Sequence, residues 1–331
     1  MKFLIIQTAF IGDVILATPI IEKLHHHYPE AQIDFMLRKG NETLLDNHPI
    51  INQVHILNKS SRKYTHLFHI IKRIRKEKYD HVINVQRFFT TGLIAALSGA
   101  KTITGFDKNP LSFLFHKKVN HQISIADKDN HEVKRNLSLI QEISDDQFFR
   151  PKIYPAPDDF CRINTNGKYI CIAPASIWFT KQWPAEKWIS FIDKIPEKCF
   201  IYLLGSSKDS KICHSIQEKT TNTKVINLAG QLSFLESAAL MKKANMNYVN
   251  DSAPLHFASA VNAPVTAVFC STVPEFGFGP LSDVSYTVET DEKLECRPCG
   301  LHGKKACPLA HFKCADIDVK KMLDKVNKHF E

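Results

Sequence analysis

Short β-branched runs alternate with amphipathic helical stretches along nearly the whole chain, and that alternation admits few folds. Phe3–Ile6, Ile33–Leu37, Val54–Leu57, His81–Val85 and Thr102–Thr104 read as strands, with helices near 17–28, 64–77 and 90–98 between them. Such alternation means parallel strands joined by crossover helices. The rhythm breaks at Pro151-Lys-Ile-Tyr-Pro155-Ala-Pro157, where three prolines in seven residues make a stiff, extended segment. It then restarts, with strands at Tyr169–Ala173, Phe200–Leu204, Val225–Asn227, Met246–Val249 and Val265–Phe269, and helices near 185–194, 208–219, 233–244 and 254–261. The chain is therefore expected to form two parallel α/β domains, 1–150 and 161–331, joined by a linker over 151–160 with a cleft between them. A final helix, roughly Asp316–His329, can pack back on the N-terminal domain.

With 331 residues, 44% of them hydrophobic, each domain can bury its own core. The net charge of +9 favours anionic partners, which include nucleic acid, acidic membranes and phosphorylated small molecules. Residues 1–150 hold 21 Lys/Arg against 15 Asp/Glu, so the N-terminal half should meet the more acidic partner. Zinc-finger spacing and RNP-like aromatic patterns are missing, and nucleic acid is not expected as a partner. The basic residues concentrate instead at 59–81, where Lys59, Arg62, Lys63, Lys72, Arg73, Arg75, Lys76 and Lys78 flank an apolar stripe of Leu67, Ile70, Ile71 and Ile74. That pattern fits first an ordinary helix packed on its sheet with a solvated face, and second a surface that meets an anionic bilayer. No run approaches the roughly 18 apolar residues of a membrane-spanning helix, so any membrane contact should be peripheral. Gln7, Gly12 and Asp13 interrupt the apolar start before it can serve as a signal peptide, and nine cysteines without an export signal fit a reducing cytoplasm.

In open parallel sheets ligands bind beyond the C-terminal strand ends, so the loops there are the candidate sites. After the first strand come Gly12, which permits close backbone approach, and Asp13, near a helix start. Asp13 can serve there as a helix cap or as a general base toward an attacking hydroxyl. The loop Pro174-Ala-Ser176-Ile-Trp178-Phe-Thr180-Lys181-Gln-Trp183-Pro184 offers hydroxyls, a lysine and helix-terminal N–H groups as a phosphate cradle. Neither a Walker motif nor a G-x-G-x-x-G fingerprint occurs, which argues against P-loop NTPases and standard dinucleotide folds. Further on, Asn250-Asp251-Ser252-Ala253-Pro254-Leu255-His256 begins a helix whose free N–H groups suit an anion, with His256 in its first turn as either a structural or a ligand-facing residue. Gln86 and Arg87 end a strand, and Arg87 is a candidate for an acceptor's acidic groups. Two Asp-x-Asp pairs, Asp127/Asp129 and Asp316/Asp318, read as solvated surface.

Near the C-terminus Cys296, Cys299, Cys307 and Cys314 follow a C-x2-C-x7-C-x6-C spacing that could hold a structural zinc, with His302 and His311 as alternative ligands. The second pair is unusually wide for such a site.

Four separated motifs together resemble the heptosyltransferases of glycosyltransferase family 9: Ile-Gly12-Asp13-x5-Pro19, Thr180-Lys181-x-Trp183-Pro184, Asn250-Asp251-Ser252-x-Pro254-x-His256, and Ser271-Thr-Val-Pro274-Glu-Phe-Gly277-Phe-Gly279-Pro280. His131-x3-Arg135-Asn136 also resembles the family. The resemblance implies the glycosyltransferase B fold, two Rossmann-like parallel-sheet domains facing a central cleft, with acceptor on the first and nucleotide sugar on the second. It implies inverting transfer of heptose from ADP-heptose to a lipopolysaccharide inner-core hydroxyl, with Asp13 as base and no cofactor required for catalysis. Donor-binding residues would be Ser176, Thr180, Lys181, Asp251, Ser252 and His256, and acceptor-binding residues Gly12, Gln86 and Arg87. The anionic acceptor would place the protein at the inner face of the inner membrane. Two positions depart from the family pattern: Ala253 replaces a usual Gly, and Asn84 a usual Asp before Gln86. A related transferase using another nucleotide sugar or acceptor is the alternative, and a basic nucleic-acid-binding protein the more distant one.

Overall fold

The computed structural model describes residues 1–58, 63–126, 130–163, 165 and 167–330, without the side chains of residues 63, 64 and 326–330. The chain divides into two units, the first built from Met1–Ser124 and Asn130–Tyr154, the second mainly from Pro155–Glu331.

In the first unit the elements run β1 (Lys2–Ile6), α1 (Ile11–His27), β2 (Gln32–Arg38), β3 (Ile51–Leu57), α2 (Lys63–Glu77), β4 (His81–Asn84), α3 (Phe89–Ala96), β5 (Thr102–Phe106), β6 (Lys117–Val119) and α4 (Glu132–Ser138). The second unit follows with β7 (Tyr169–Ala173), α5 (Ala185–Ile192), β8 (Phe200–Leu203), α6 (Ser210–Lys219), β9 (Val225–Asn227), α7 (Phe234–Lys243), β10 (Met246–Asn250), α8 (Ala253–Ala260), β11 (Val265–Val268), β12 (Ser285–Val288) and α9 (Val319–Phe330). Each unit holds a six-stranded sheet, ordered β3-β2-β1-β4-β5-β6 and β12-β11-β10-β7-β8-β9. Every pairing is parallel. Numbered within its own unit, the second sheet has the same order as the first, the doubly wound order in which strand direction of growth reverses between the first and fourth strands. That switch point lies between β1 and β4 in one unit and between β7 and β10 in the other.

Parallel strands covered by helices on both faces must be apolar throughout, and Phe3, Leu4, Ile5 and Ile6 are each 0% exposed. The second core gathers Trp183, Trp188, Phe191 and Tyr248 around β7 and β10. The stripe of α2 behaves as an ordinary packed helix face, with Ile70, Ile71 and Ile74 in the first core and Leu67 against it. Lys72, Arg73, Arg75, Lys76 and Lys78 stay exposed, while Lys59 and Arg62 lie outside the described residues.

The structure departs from the sequence expectation at the start of α1, at β6 and β12, and at α4, which the alternation does not mark. Helix α1 starts at Ile11, not near residue 17, and carries Pro19 in its interior. A proline there leaves the carbonyl four residues back without its N–H partner; Thr18 repairs this, its hydroxyl donating to Ile15 O at 2.8 Å while accepting Lys152 N at 2.9 Å. Strands β6 and β12 were not anticipated, because each is a short edge strand of polar or mixed sequence. Helix α9 does not need the first unit to bury its stripe: Val319 and Met322 belong to the second core, and the helix lies against α5.

Thr18→Val should lower the melting temperature by several degrees. The substitution leaves the Ile15 carbonyl and the Lys152 N–H unpaired, at about 1–3 kcal/mol for each such buried group. An unchanged melt by circular dichroism would show that the hydroxyl is dispensable.

Candidate active site

At the first switch point, Asp13 is the third residue of α1. Its Oδ2 accepts the Phe10 N–H at 3.1 Å, so the carboxylate does cap the helix. The same carboxyl is held at an unusual proton affinity: burial pushes its pKa up to about 6, the charge of Glu132 adds to this, and the Phe10 N–H, its own N–H and Arg38 pull the other way. A half-buried carboxyl with a pKa near 6 can take a proton at neutral pH, as a helix cap has no need to. Gly12 is buried directly before it. Gln86, 5% exposed, donates to Gln7 and thereby ties the loop after β4 to the loop after β1. Arg87 is half-buried beside it. Arg38, which sequence reasoning missed, ends β2 with its guanidinium 4.7 Å from the Phe10 ring centroid.

At the second switch point, Lys181 Nζ lies 2.6 Å from Asp251 Oδ2, and Thr272 donates to the same oxygen at 2.6 Å. The loops that carry them are joined underneath by Asn250, fully buried, which donates to Pro174 O at 2.7 Å and accepts Trp183 N at 3.0 Å. Ser252 reaches Ala175 O at 3.5 Å, Ser176 O accepts Gln182 Nε2 at 2.5 Å, and His256 sits buried in the first turn of α8. The result is one cation beside hydroxyls and the start of α8, a setting suited to a diphosphate.

Thr180 is placed otherwise than its sequence suggests. It is 1% exposed, and its hydroxyl accepts Lys304 N at 2.7 Å and meets Ser271 Oγ at 2.9 Å. The buried Thr180 hydroxyl thus ties the loop that carries Lys181 to the loop that carries Lys304. Its partner Lys304 lies in the cysteine-rich loop, which also fastens to the loop after β11 through Cys299 N to Ser271 O at 2.9 Å and Arg297 Nε to Cys270 O at 2.6 Å. Gly303 makes this approach possible. It has φ +72°, and a Cβ there would stand 2.7 Å from Lys181 Cγ.

All nine cysteines are free thiols. The four cysteines that could hold a zinc do not gather as a metal set: among the described residues no three His, Cys, Asp or Glu side chains do so. Cys314 is buried in the core, where burial pushes its thiol up to about 11. Cys299 Sγ turns to the Cys296 carbonyl at 3.4 Å, and Cys296 Sγ is 4.0 Å from His311 Nε2. Burial raises Cys307, but N–H groups of Phe312, Leu309, His311 and Ala310 outweigh it and hold the thiol below its ordinary value. Asp316 pairs with Lys187 at the surface, and Asp127/Asp129 lie outside the described residues.

The family model of glycosyltransferase family 9 (heptosyltransferase) matches residues 67–309. The chain belongs to that family. It is accordingly a glycosyltransferase with the two-sheet B-type fold. Lipopolysaccharide heptosyltransferase 3 of Escherichia coli is 28% identical over 279 residues, 80% of this chain and 82% of that protein. The solved structure of the E. coli ADP-heptose lipopolysaccharide heptosyltransferase II matches with a TM-score of 0.83 at 20% identity, covering 99% of this chain and 98% of that one. An E. coli heptosyltransferase solved with ADP matches with a TM-score of 0.77 at 17% identity, over 99% and 100% of the two chains. Of the residues sequence reasoning missed in this glycosyltransferase, Thr272 sits inside a quoted motif and Glu132 between two motif residues. Arg38, Gly303 and Lys304 had no local signal.

Thr180→Val should destabilise the second unit of the enzyme, since Lys304 N and Ser271 Oγ both lose their acceptor, at about 1–3 kcal/mol per orphaned group. Thr180→Ser should restore wild-type behaviour. Thermal melts and proteolysis of the 300–310 loop check this, and a wild-type melt for the valine variant would remove the bracing role.

Proposed function

We propose that this glycosyltransferase moves heptose from ADP-heptose to a hydroxyl of the lipopolysaccharide inner core, with inversion at the anomeric carbon. The observation that carries the reading is Asp13: a carboxyl at a sheet switch point whose pKa is pushed up to about 6. The acceptor oxygen attacks heptose C1 and its proton passes to Asp13, while the C1–oxygen bond to the diphosphate breaks and ADP leaves with the electron pair. One displacement inverts the centre. Negative charge grows on the departing diphosphate, and Lys181 meets it. An ammonium has three donors, so the bond to Asp251 leaves two for phosphate oxygens. Lys181 supplies the positive charge, and the reading asks for no metal or organic cofactor. Ser176, Ser252 and His256 complete the donor side in this reading, Gly12, Gln86 and Arg87 the acceptor side. The names of the relatives, which carry lipopolysaccharide and ADP-heptose, support the substrate choice.

Incubation with ADP-heptose and a panel of core-truncated lipopolysaccharides, followed by mass measurement of the products, tests the activity and identifies the acceptor. Asp13→Asn should lower transfer by about 10²–10⁴-fold with donor affinity nearly unchanged, because an amide keeps the shape and accepts no proton. Wild-type kcat/KM should fall as pH drops through about 6, where Asp13 becomes protonated. Activity of the variant within about threefold of wild type would return Asp13 to a capping role alone.

We propose further that the enzyme works peripherally at the cytoplasmic face of the inner membrane, with the exposed basic face of α2 toward anionic lipid. Among the described residues no helix is long and apolar enough to cross a membrane. Replacing Lys72, Arg73, Lys76 and Lys78 together by Gln should weaken binding to anionic vesicles and slow turnover on lipid-embedded acceptor, while sparing a delipidated one. The defect should shrink as salt rises, since such charges act through a field screened over about 10 Å at 0.1 M. Equal, salt-independent losses on both acceptors would place this helix at the acceptor instead.

A further inference from the structure

Helix α4 carries the His131-x3-Arg135-Asn136 motif, which no step above uses. Its docking on α1 is fixed at one point: Asn136 Nδ2 donates to the Leu16 carbonyl at 2.9 Å. One turn back along each helix, on the same faces, stand Asp13 and Glu132. Glu132 cannot swing away. Arg135 grips its Oε2 through Nε and Nη2, each at 2.7 Å, and His121 Nε2 lies 3.3 Å from the same oxygen. These anchors are themselves buried, Arg135 at 4% and His121 at 3% exposure. Arg135 also donates to Asn130 O, and the His121 N–H donates to Asp107 Oδ1 at 3.2 Å.

We propose that Glu132 is a positioning residue for the transfer reaction: a fixed negative charge, anchored by Arg135 and His121, that makes Asp13 a stronger proton acceptor. The inference rests on the reading of Asp13 as the base. Among the described residues, the charged groups that act most on Asp13 are Glu132 from α4 and Arg38 from the end of β2, with the N–H groups of Phe10 and Asp13 itself. Of these, Glu132 acts to raise the proton affinity and Arg38 to lower it. Burial opposes ionisation of Glu132, yet the His121 hydrogen bond and the Arg135 charge hold its pKa below the ordinary value, so it stays negative while Asp13 titrates. Like charges at close range disfavour ionisation of the weaker acid.

The test compares pH profiles of kcat/KM in wild type, Glu132→Gln and Glu132→Asp, alongside the carbon-13 carboxyl titration of Asp13 by NMR. Removing the charge should move the acid limb and the NMR midpoint down together by about one pH unit, and lower the alkaline plateau by about three- to tenfold through the weaker base. Glu132→Asp keeps the charge, so its midpoint should stay near that of wild type, and this variant carries the test should Glu132→Gln fail to fold. An unshifted midpoint in Glu132→Gln, or one displaced by a full unit in Glu132→Asp, overturns the proposal and leaves Glu132 a structural anchor. The NMR midpoint reports on Glu132 even where Asp13→Asn proves active, so failure of the base assignment remains distinguishable from failure of this one.

Discussion

The side-chain amide of Asn250 holds together the two loops that form the candidate site of the second unit. Strands β7 and β10 are neighbours in the sheet, but the loops leaving them diverge, one toward α5 and the other into α8. Asn250 has both an acceptor and a donor on one fully buried group, and it uses them on Trp183 N and Pro174 O. No apolar side chain could do this, and a carboxylate there would carry an uncompensated charge. With this amide in place, Lys181 and Asp251 are brought to 2.6 Å of one another from positions 70 residues apart.

The fourth strand of the first sheet also ends in a buried asparagine. Asn84 is 0% exposed, its Oδ1 accepting Gln86 N at 3.2 Å so that the chain turns sharply after β4. The turn delivers Gln86 to Gln7 on the neighbouring strand end. Each switch point is therefore bridged by side-chain amides, a neutral way to satisfy backbone groups where the sheet stops supplying partners. Asn84, read in the sequence as a departure from the acidic residue usual there, fits this scaffold.

What was legible in the sequence was local. The β-α alternation carried the two parallel sheets, and the loops singled out, from Gly12 to His256, all lie at strand ends by the rule of open sheets. The misreadings arose where a distant residue changes the meaning of a local pattern. Pro19 reads as a helix start until the Thr18 hydroxyl is seen to serve Ile15 O, which lets α1 begin at Ile11. Thr180 reads as a phosphate ligand, and its sequence neighbourhood gives no sign that Lys304, 124 residues later, donates to its hydroxyl. The cysteine spacing suggests a metal knuckle, whereas Cys314 is drawn into the apolar core beside Ile317. Glu132 has no signal of its own, because its relation to Asp13 exists only through the docking of α4 on α1.

The two candidate sites solve opposite electrostatic problems. In the first unit a carboxylate at a helix N-terminus would ordinarily be a weak base, since N–H groups stabilise its charge. Burial does most to overcome that, and the like charge of Glu132, itself held ionised by His121 and Arg135, adds to it. In the second unit the partly buried Lys181 needs a counter-charge before any diphosphate is present, and Asp251 provides it. Thr272 is bonded to the same carboxylate oxygen, so Asp251 keeps a donor if the lysine turns toward an incoming anion. An uncompensated buried charge would cost several kcal/mol, so a lysine poised for an anion is best stored against a carboxylate that has a second partner. Both sites thus depend on paired charges whose second neighbours, Arg135 and Thr272, make no contact with the reacting atoms in the proposed chemistry.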